Sequence, residues 1–332
     1  MTQTAEGIAK ERREANRTGI NYQQAPPRRL FGPIIDFHTH IYHGEHLEPF
    51  FAAADLYGIK RFFSMTPLAD VEKVNAAHGD RIRFIAIPNW RRQEKLGLAP
   101  EFRAEWMADI GTFAALGSRL CKFWMAPPIR ERVGLTLRHE FLQPVIDHAL
   151  GLGFEFMVHV ADPSVWWGAG RKYEDTAKFG TKAEHYEAFE WFLERVHPRR
   201  VVGVHMAGSI ENVDFLQQLF DRHDNLLLDT SATKWIVREV ARYPEKVREL
   251  MIRNSDRILF GSDLVAADRF VTFDHYASRY WAHQMMWESS YRGESPIEDP
   301  DGEKPPQLAG TNLPDDVLGK IYFENVSRMG WL

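Results

Sequence analysis

The chain has 332 residues, 44% of them apolar and 26% charged, with a formal charge of −5. That balance can bury a large core and excludes collagenous, coiled-coil and globally disordered readings. It also supplies no basic field for a polyphosphate backbone, so nucleic acid is not expected as a partner. Cys121 is the single cysteine, which excludes an intrachain disulfide and a cysteine-built zinc site, so any metal must be held by His and carboxylate. No run approaches the roughly 18 apolar residues of a membrane span. Glu6, Glu11 and Glu14 stand where a signal peptide would be apolar, so no membrane association is expected and the expected location is cytoplasmic.

Residues 1–30 read as an N-terminal arm, polar and charged, closing on Ala25-Pro26-Pro27-Arg28-Arg29. Its six basic residues (Lys10, Arg12, Arg13, Arg17, Arg28, Arg29) outnumber its three acidic ones in an otherwise acidic chain. The arm is expected to pack on its own domain or on a neighbouring subunit. Residues 31–332 read as one domain.

From Pro33 onward, β-rich runs alternate with stretches of helical period, the signature of βα units and a parallel sheet. The predicted strands are Ile34–His38, Ile59–Met65, Ile82–Ile87, Leu120–Met125, Phe154–Val160, Val201–Met206, Leu226–Thr230 and Ile258–Ser262. Between them, Leu47–Leu56, Glu101–Leu116, Phe141–Leu150, Glu184–Val196, Val213–Phe220 and Trp235–Met251 carry apolar residues every three or four positions and read as helices. Eight such units point to an α/β fold, a (β/α)8 TIM barrel with an N-terminal arm. Two connections, Ala161–Gly180 and Val265–Leu313, are too long for plain turns, and both leave from the C-terminal face, where barrels of this kind keep their chemistry.

The first strand ends in Asp36-Phe37-His38-Thr39-His40. Alternate side chains share a face, so His38 and His40 should point together to the barrel mouth, with Asp36 one layer deeper. Alone the pair says little, because 14 His in this length supply about 0.6 such pairs by chance. The context raises it: His159 falls near the end of the fifth strand, His205 near the end of the sixth, and Asp263 directly after the eighth. Five candidate side chains from four strands would thus meet at one mouth.

This ordered set, with Ile35-Asp36-Phe37-His38-Thr39-His40, His205-Met206-Ala207-Gly208, Asp229-Thr230-Ser231-Ala232, Phe260-Gly261-Ser262-Asp263 and the closing Leu313-Pro314 and Asn325-Val326-Ser327-Arg328, resembles the amidohydrolase superfamily. The resemblance is to the amidohydrolase-2 branch, metal-dependent hydrolases of TIM-barrel fold related to aminocarboxymuconate-semialdehyde-type decarboxylases, and spans roughly residues 33–330. Ala207 stands where that family often has a second glycine. The resemblance implies that His38, His40, His159 and Asp263 hold one divalent ion, most readily Zn2+, with Mn2+ or another divalent ion as the alternative. It implies that Asp263 moves the proton of a water activated by the ion and that His205 polarises a carbonyl or stabilises its oxyanion.

Lys122, near the end of the fourth strand, matches the place where binuclear relatives carry a bridging carboxylated lysine; contact with an anionic substrate and an ordinary lysine without a role in the site are the other readings. Arg171, Tyr173 and Trp167, in the Ala161–Gly180 connection, could bind a carboxylate and stack on a flat substrate, or form a structural aromatic plug. The expected function is hydrolysis of an amide, lactone or ester-like bond of a small molecule, with nonoxidative decarboxylation at the same centre, a carbon–carbon lyase reaction, as the alternative. A small-molecule substrate, with a carboxylate among the candidates, is the expected partner, and a homo-oligomer is compatible with this reading.

Overall fold

The computed structural model describes residues 4–30 and 32–332. Eight parallel strands follow the order expected from the hydrophobic pattern: β1 (Ile34–Ile41), β2 (Ile59–Ser64), β3 (Ile82–Phe84), β4 (Leu120–Trp124), β5 (Glu155–His159), β6 (Val201–Gly203), β7 (Leu226–Asp229) and β8 (Ile258–Leu259). A short β9 (Leu264–Ala266) pairs in parallel with β1. The ladders form two sheets, β3-β2-β1-β9 and β4-β5-β6-β7-β8, rather than one continuous ring. Backbone bonds join them at both seams. Ala86 N–H donates to Leu120 O and Lys122 N–H to Ala86 O (2.8 Å each) on one side, and Phe37 N–H donates to Phe260 O (2.8 Å) on the other.

Two apolar clusters flank these strands. One contains Ile35, Phe37, Phe63, Met157, Val202 and Leu227 and is closed by Val326, Met329 and Trp331 of the C-terminal segment. The other, far larger, lies between strands and helices. Burying both strand faces is what allows such short parallel strands to hold.

The helices form where the apolar period placed them, with one exception. Lys182–Val196 begins on a capping box in which the Thr181 hydroxyl accepts from Glu184 N–H while the Glu184 carboxylate accepts from Thr181 N–H. The stretch predicted as one helix, Trp235–Met251, is two, Thr233–Arg242 and Pro244–Arg253. Pro244 lacks the N–H a continuing helix needs and instead opens the second one. The connection after β8 holds the helix Phe273–Glu288 and a hairpin of β10 (Arg292–Glu294) and β11 (Gln307–Ala309).

In the arm, helix Ala5–Ala15 is capped by the Thr4 hydroxyl and is fastened to this same connection. Glu11 accepts from Thr272 N–H (2.9 Å), Glu298 N–H donates to Glu14 O (2.8 Å), and Arg29 donates to Asn312 and to the Leu313 carbonyl. Among the described residues, no helix is long and apolar enough to cross a membrane.

Candidate metal centre

The C-terminal ends of β1, β5, β6 and β7 and the turn after β8 converge on a cluster of imidazoles and carboxylates. His38 Nε2 and His40 Nε2 each lie 3.2 Å from Asp263 Oδ1. Asp263 sits at φ +63°, a left-handed conformation that Asp tolerates better than most residues, and its N–H donates to His38 O (2.8 Å). The His40 and Asp263 side chains keep 27% and 30% of their exposure, so a small molecule can reach them, whereas His38 is buried.

Strand alternation alone does not produce this arrangement. The β1–β2 register shifts between Asp36 and Thr39. Phe37 joins the cluster closed by Trp331, while Asp36 does not lie one layer beneath His38 on a common face, as the period of two had suggested. It accepts instead from Ser262 N–H (3.0 Å), from the Ser262 hydroxyl (2.5 Å) and from Tyr280 on the covering helix (3.1 Å). Burial pushes its carboxyl up to about 6 against these bonds. Asp36 thus ties the turn carrying Asp263 to the strand carrying His38.

Below His38 lies a second carboxylate, to which the motif Asp229-Thr230-Ser231-Ala232 by itself assigns no role. Asp229, at the end of β7 and fully buried, accepts from His38 Nδ1 (2.8 Å). A hydrogen bond to a buried carboxylate places the ring proton on Nδ1 and leaves the Nε2 lone pair facing Asp263. Burial and Lys122 oppose protonation of His38, yet Asp229 and Asp263 together raise its pKa. The carboxyls of Asp229 and Asp263 are held low despite their burial, chiefly by His38.

His205 lies on a turn that no β propensity announces. Val201–Met206 reads as a strand, but β6 ends at Gly203, and His205, Met206 and Ala207 adopt φ of +56°, +52° and +51° before Gly208 at +68°. For non-glycine residues this costs about 1–2 kcal/mol each. The strain is held by His205 N–H donating to Asp229 (2.8 Å), Tyr186 hydroxyl to Ala207 O (2.7 Å) and Lys182 Nζ to Gly208 O (2.9 Å). Gly208 is required twice over, since a Cβ there would meet Ala161 O at 2.1 Å. The His205 ring stacks on that of His38 with centroids 4.9 Å apart, and burial keeps it neutral, well below its ordinary pKa.

His159 ends β5 beside His205, with ring centroids 4.9 Å apart, but its Nε2 pairs with Asp162 Oδ1 at 2.8 Å. The Tyr173 hydroxyl donates to the other oxygen of Asp162, and Trp167 Nε1 donates to the Asp162 carbonyl (3.2 Å). Of the residues expected in the long connection, Tyr173 is therefore buried, Trp167 half-buried and Arg171 exposed. Trp235, which was not a candidate, packs edge-on against both His159 and His205. Lys122 is buried on β4, where burial lowers its amine to about 8 against the attraction of Asp229 and Asp263.

Among the described residues, two groups of donor atoms lie within 4.8 Å of one another, His38 with His40 and Asp263, and His38 with His205 and Asp229. His159 belongs to neither. A hollow of about 650 Å³ opens above β1–β3, lined by Tyr42, Leu68, Pro88, Trp90 and Arg91 among others. A larger one of about 860 Å³ lies at the opposite end, around Glu194, Asp224 and Arg257, and contains none of the candidate residues.

No protein-family model and no curated protein matches this chain. Among solved structures, an Agrobacterium tumefaciens protein in its apo form is 13% identical, covers 92% of this chain and 99% of its own, and superposes with a TM-score of 0.50. A candidate metal-dependent hydrolase from Lactobacillus casei is also 13% identical, covering 86% of this chain and 76% of its own with a TM-score of 0.47. The first of these likenesses establishes the α/β fold and, at this identity, the fold alone.

Proposed function

We propose that this protein is a metal-dependent hydrolase of a small-molecule amide, lactone or ester-like bond, with His38, His40 and Asp263 holding one divalent ion. The observation that carries the reading is the meeting of two Nε2 atoms with one carboxylate oxygen at 3.2 Å. Since Asp229 commits the His38 ring proton to Nδ1, the His38 lone pair faces an anionic oxygen, and a cation or an extra proton has to lie between them. Burial lowers the His40 pKa against its bond to Asp263, which favours the neutral ring that a metal ligand must be. The donor set suits zinc, and the order of motifs along the chain resembles that of the amidohydrolase superfamily.

Bound there, a divalent ion would supply Lewis acidity toward the scissile carbonyl and toward water. The chain's own groups supply the rest. Asp263, ionised and partly exposed, takes a proton from the attacking water and returns it to the leaving group. His205 accepts a hydrogen bond from that water at Nε2. Its expected role as donor to an oxyanion passes to Lys122, because the only ring proton of a neutral His205 is drawn to Ser231 Oγ, 2.7 Å from Nδ1. Lys122, buried on β4 within the attraction of Asp229 and Asp263, is the group whose ammonium form would offer positive charge to a developing oxyanion or a substrate carboxylate.

The test is elemental analysis of the purified protein, followed by a screen of lactones, amides, esters and aromatic acids. One equivalent of divalent metal with acid release and no carbon dioxide is the expected result. Carbon dioxide release from an aromatic acid would replace hydrolysis by decarboxylation. Less than about 0.2 equivalents after soaking would remove the metal centre itself.

A further inference from the structure

The second donor group, His38 with His205 and Asp229, has the spacing of a metal site but not its chemistry. Hydrogen-bond accounting shows why. Asp229 Oδ2 accepts from His38 Nδ1 (2.8 Å), while Oδ1 accepts from His205 N–H (2.8 Å), from Ser231 N–H (3.1 Å) and from the Ser231 hydroxyl. Four donors reach this fully buried carboxylate, three of them on Oδ1, and the His38 ring proton takes Oδ2, so an ion placed in this group would have to displace the His38 bond and strip the proton from its Nδ1. The Ser231 hydroxyl has one proton, and Asp229 takes it. Ser231 Oγ can then only accept at His205 Nδ1 (2.7 Å) and, more weakly, at His38 Nδ1 (2.9 Å).

We infer that Asp229 is the positioning residue of the centre: through one carboxylate it sets the Nδ1–H tautomer of His38 directly and that of His205 by way of Ser231, and it pins the left-handed turn on which His205 rides. Its significance for turnover rests on the proposed metal-dependent hydrolysis, whereas the tautomers do not. The arrangement explains how two rings stacked at 4.9 Å both present lone pairs to the mouth rather than one donor and one acceptor. It also explains how three consecutive non-glycine residues remain at positive φ, since the His205 N–H is anchored to the same group that orients its neighbour's ring. Removal of Asp229 would therefore disturb both imidazoles together, and removal of Ser231 only the second.

The experiment is nitrogen-15 NMR of protein labelled at histidine, recorded metal-free and with zinc added, on the wild type and on Asp229→Asn, Ser231→Ala and Ser231→Thr. The wild type should show His205 as the Nδ1–H tautomer in both states and His38 as the Nδ1–H tautomer with zinc bound, where the ion takes the place of the proton that Asp263 otherwise holds on Nε2. Ser231→Ala should abolish the tautomer preference of His205 and leave His38 unchanged, and Ser231→Thr, which restores the hydroxyl, should restore it. Asp229→Asn should alter both rings and weaken zinc binding by about 10–100-fold, the scale for losing a partner that orients a ligand. Ser231→Ala should change zinc binding by less than about threefold, because the His38 bond to Asp229 survives. Should Asp229→Asn not fold, the two serine variants decide the matter alone. An Nε2–H tautomer at His205 in the wild type, or a Ser231→Ala spectrum in which His38 moves as much as His205, would overturn the inference. Protein that binds no zinc but shows the expected His205 tautomer would overturn the proposed function and leave the positioning role standing.

Discussion

The two sides of the mouth are built differently. Above β1–β3 the connections stand apart and leave the 650 Å³ hollow, walled by half-buried Tyr42, Leu68 and Trp90 with Arg91 at its rim. Above β5–β7 the long connection is folded down and filled: Tyr173 is buried on Asp162, Trp166 meets Trp235 edge-on at 5.1 Å, and Lys172 caps the Trp166 ring at 3.8 Å. The two sides also treat their imidazoles differently. On the β1 side His38 and His40 aim their Nε2 atoms at a shared carboxylate oxygen, and on the β5 side His159 has already given its Nε2 to Asp162. One side is thus open, with two imidazole nitrogens turned to one carboxylate oxygen, and the other is filled and paired. Of the two readings of Trp167 and Tyr173, substrate contact or structural plug, their bonds to Asp162 accord with the second.

The sharpest way to break this contrast is to remove one imidazole from each side. His38→Ala should lose bound metal and activity together, by at least about 10²-fold in metal affinity, because it deletes one of few ligands. His159→Ala should keep metal affinity within about tenfold and lower activity mainly by loosening the packing around His205. Metal titration of the two purified variants checks both. Equal loss in the two would show that His159 leaves Asp162 for the ion, and the β5 side would then join the ligand set as the family resemblance implies.

This contrast also marks what could be read in advance. The eight strands were legible because each is a β-rich run separated from the next by helical period, and the His38-x-His40 pair with Asp263 was legible because strand ends are where a barrel places its chemistry. The register shift in β1 was not, since nothing in Asp36-Phe37-His38 departs from simple alternation. The left-handed turn at His205 was hidden for a different reason. Val204, His205 and Met206 look like strand residues, and what holds them is a carboxylate 24 positions away. Asp162 left a signal that could have been used: a carboxylate three residues past a strand-end histidine is close enough to claim its ring nitrogen, and it does.

A smaller effect is expected from the hollow itself. Trp90 stands in its wall and meets Trp124 edge-on at 5.7 Å, and Trp124 in turn faces His159 at 6.5 Å, so the hollow is continuous in packing with the imidazole cluster. Trp90→Ala removes a large flat surface without touching a metal-binding atom. It should raise KM for an aromatic substrate by roughly tenfold while leaving kcat and metal content near the wild-type values, the pattern of a contact made equally in ground and transition states. A fall in kcat with KM unchanged would instead mean that Trp90 acts through Trp124 on the centre, and that the hollow does not receive substrate.

The smallest effect should come from the network that fastens the closed side. Glu211 accepts from Lys182, from the Ser164 hydroxyl and from Ser164 N–H (3.2 Å), and Lys182 also donates to Gly208 O at the end of the left-handed turn. This one carboxylate therefore ties the 161–180 connection to the segment carrying His205. Burial alone would raise the Glu211 pKa, but the Lys182 charge and these hydrogen bonds outweigh it and lower it below the ordinary value. In the window between the folded and unfolded values the unfolded chain binds more protons at this site than the folded one, so stability rises with pH across it. The contribution of Glu211 is then fully present above about pH 4.5, the ordinary glutamate range, and disappears as the pH falls through the lower folded value. Glu211→Gln should cost about 1–3 kcal/mol at pH 7, the scale of a charge-assisted hydrogen bond with a buried partner, and the gap between wild type and variant should close in acid. Thermal unfolding of both proteins from pH 7 down to pH 3 measures it. A gap that stays constant over that range would mean that Glu211 acts through shape rather than charge, and the closed side would then owe its position to the aromatic packing of Trp166, Tyr173 and Trp235 instead.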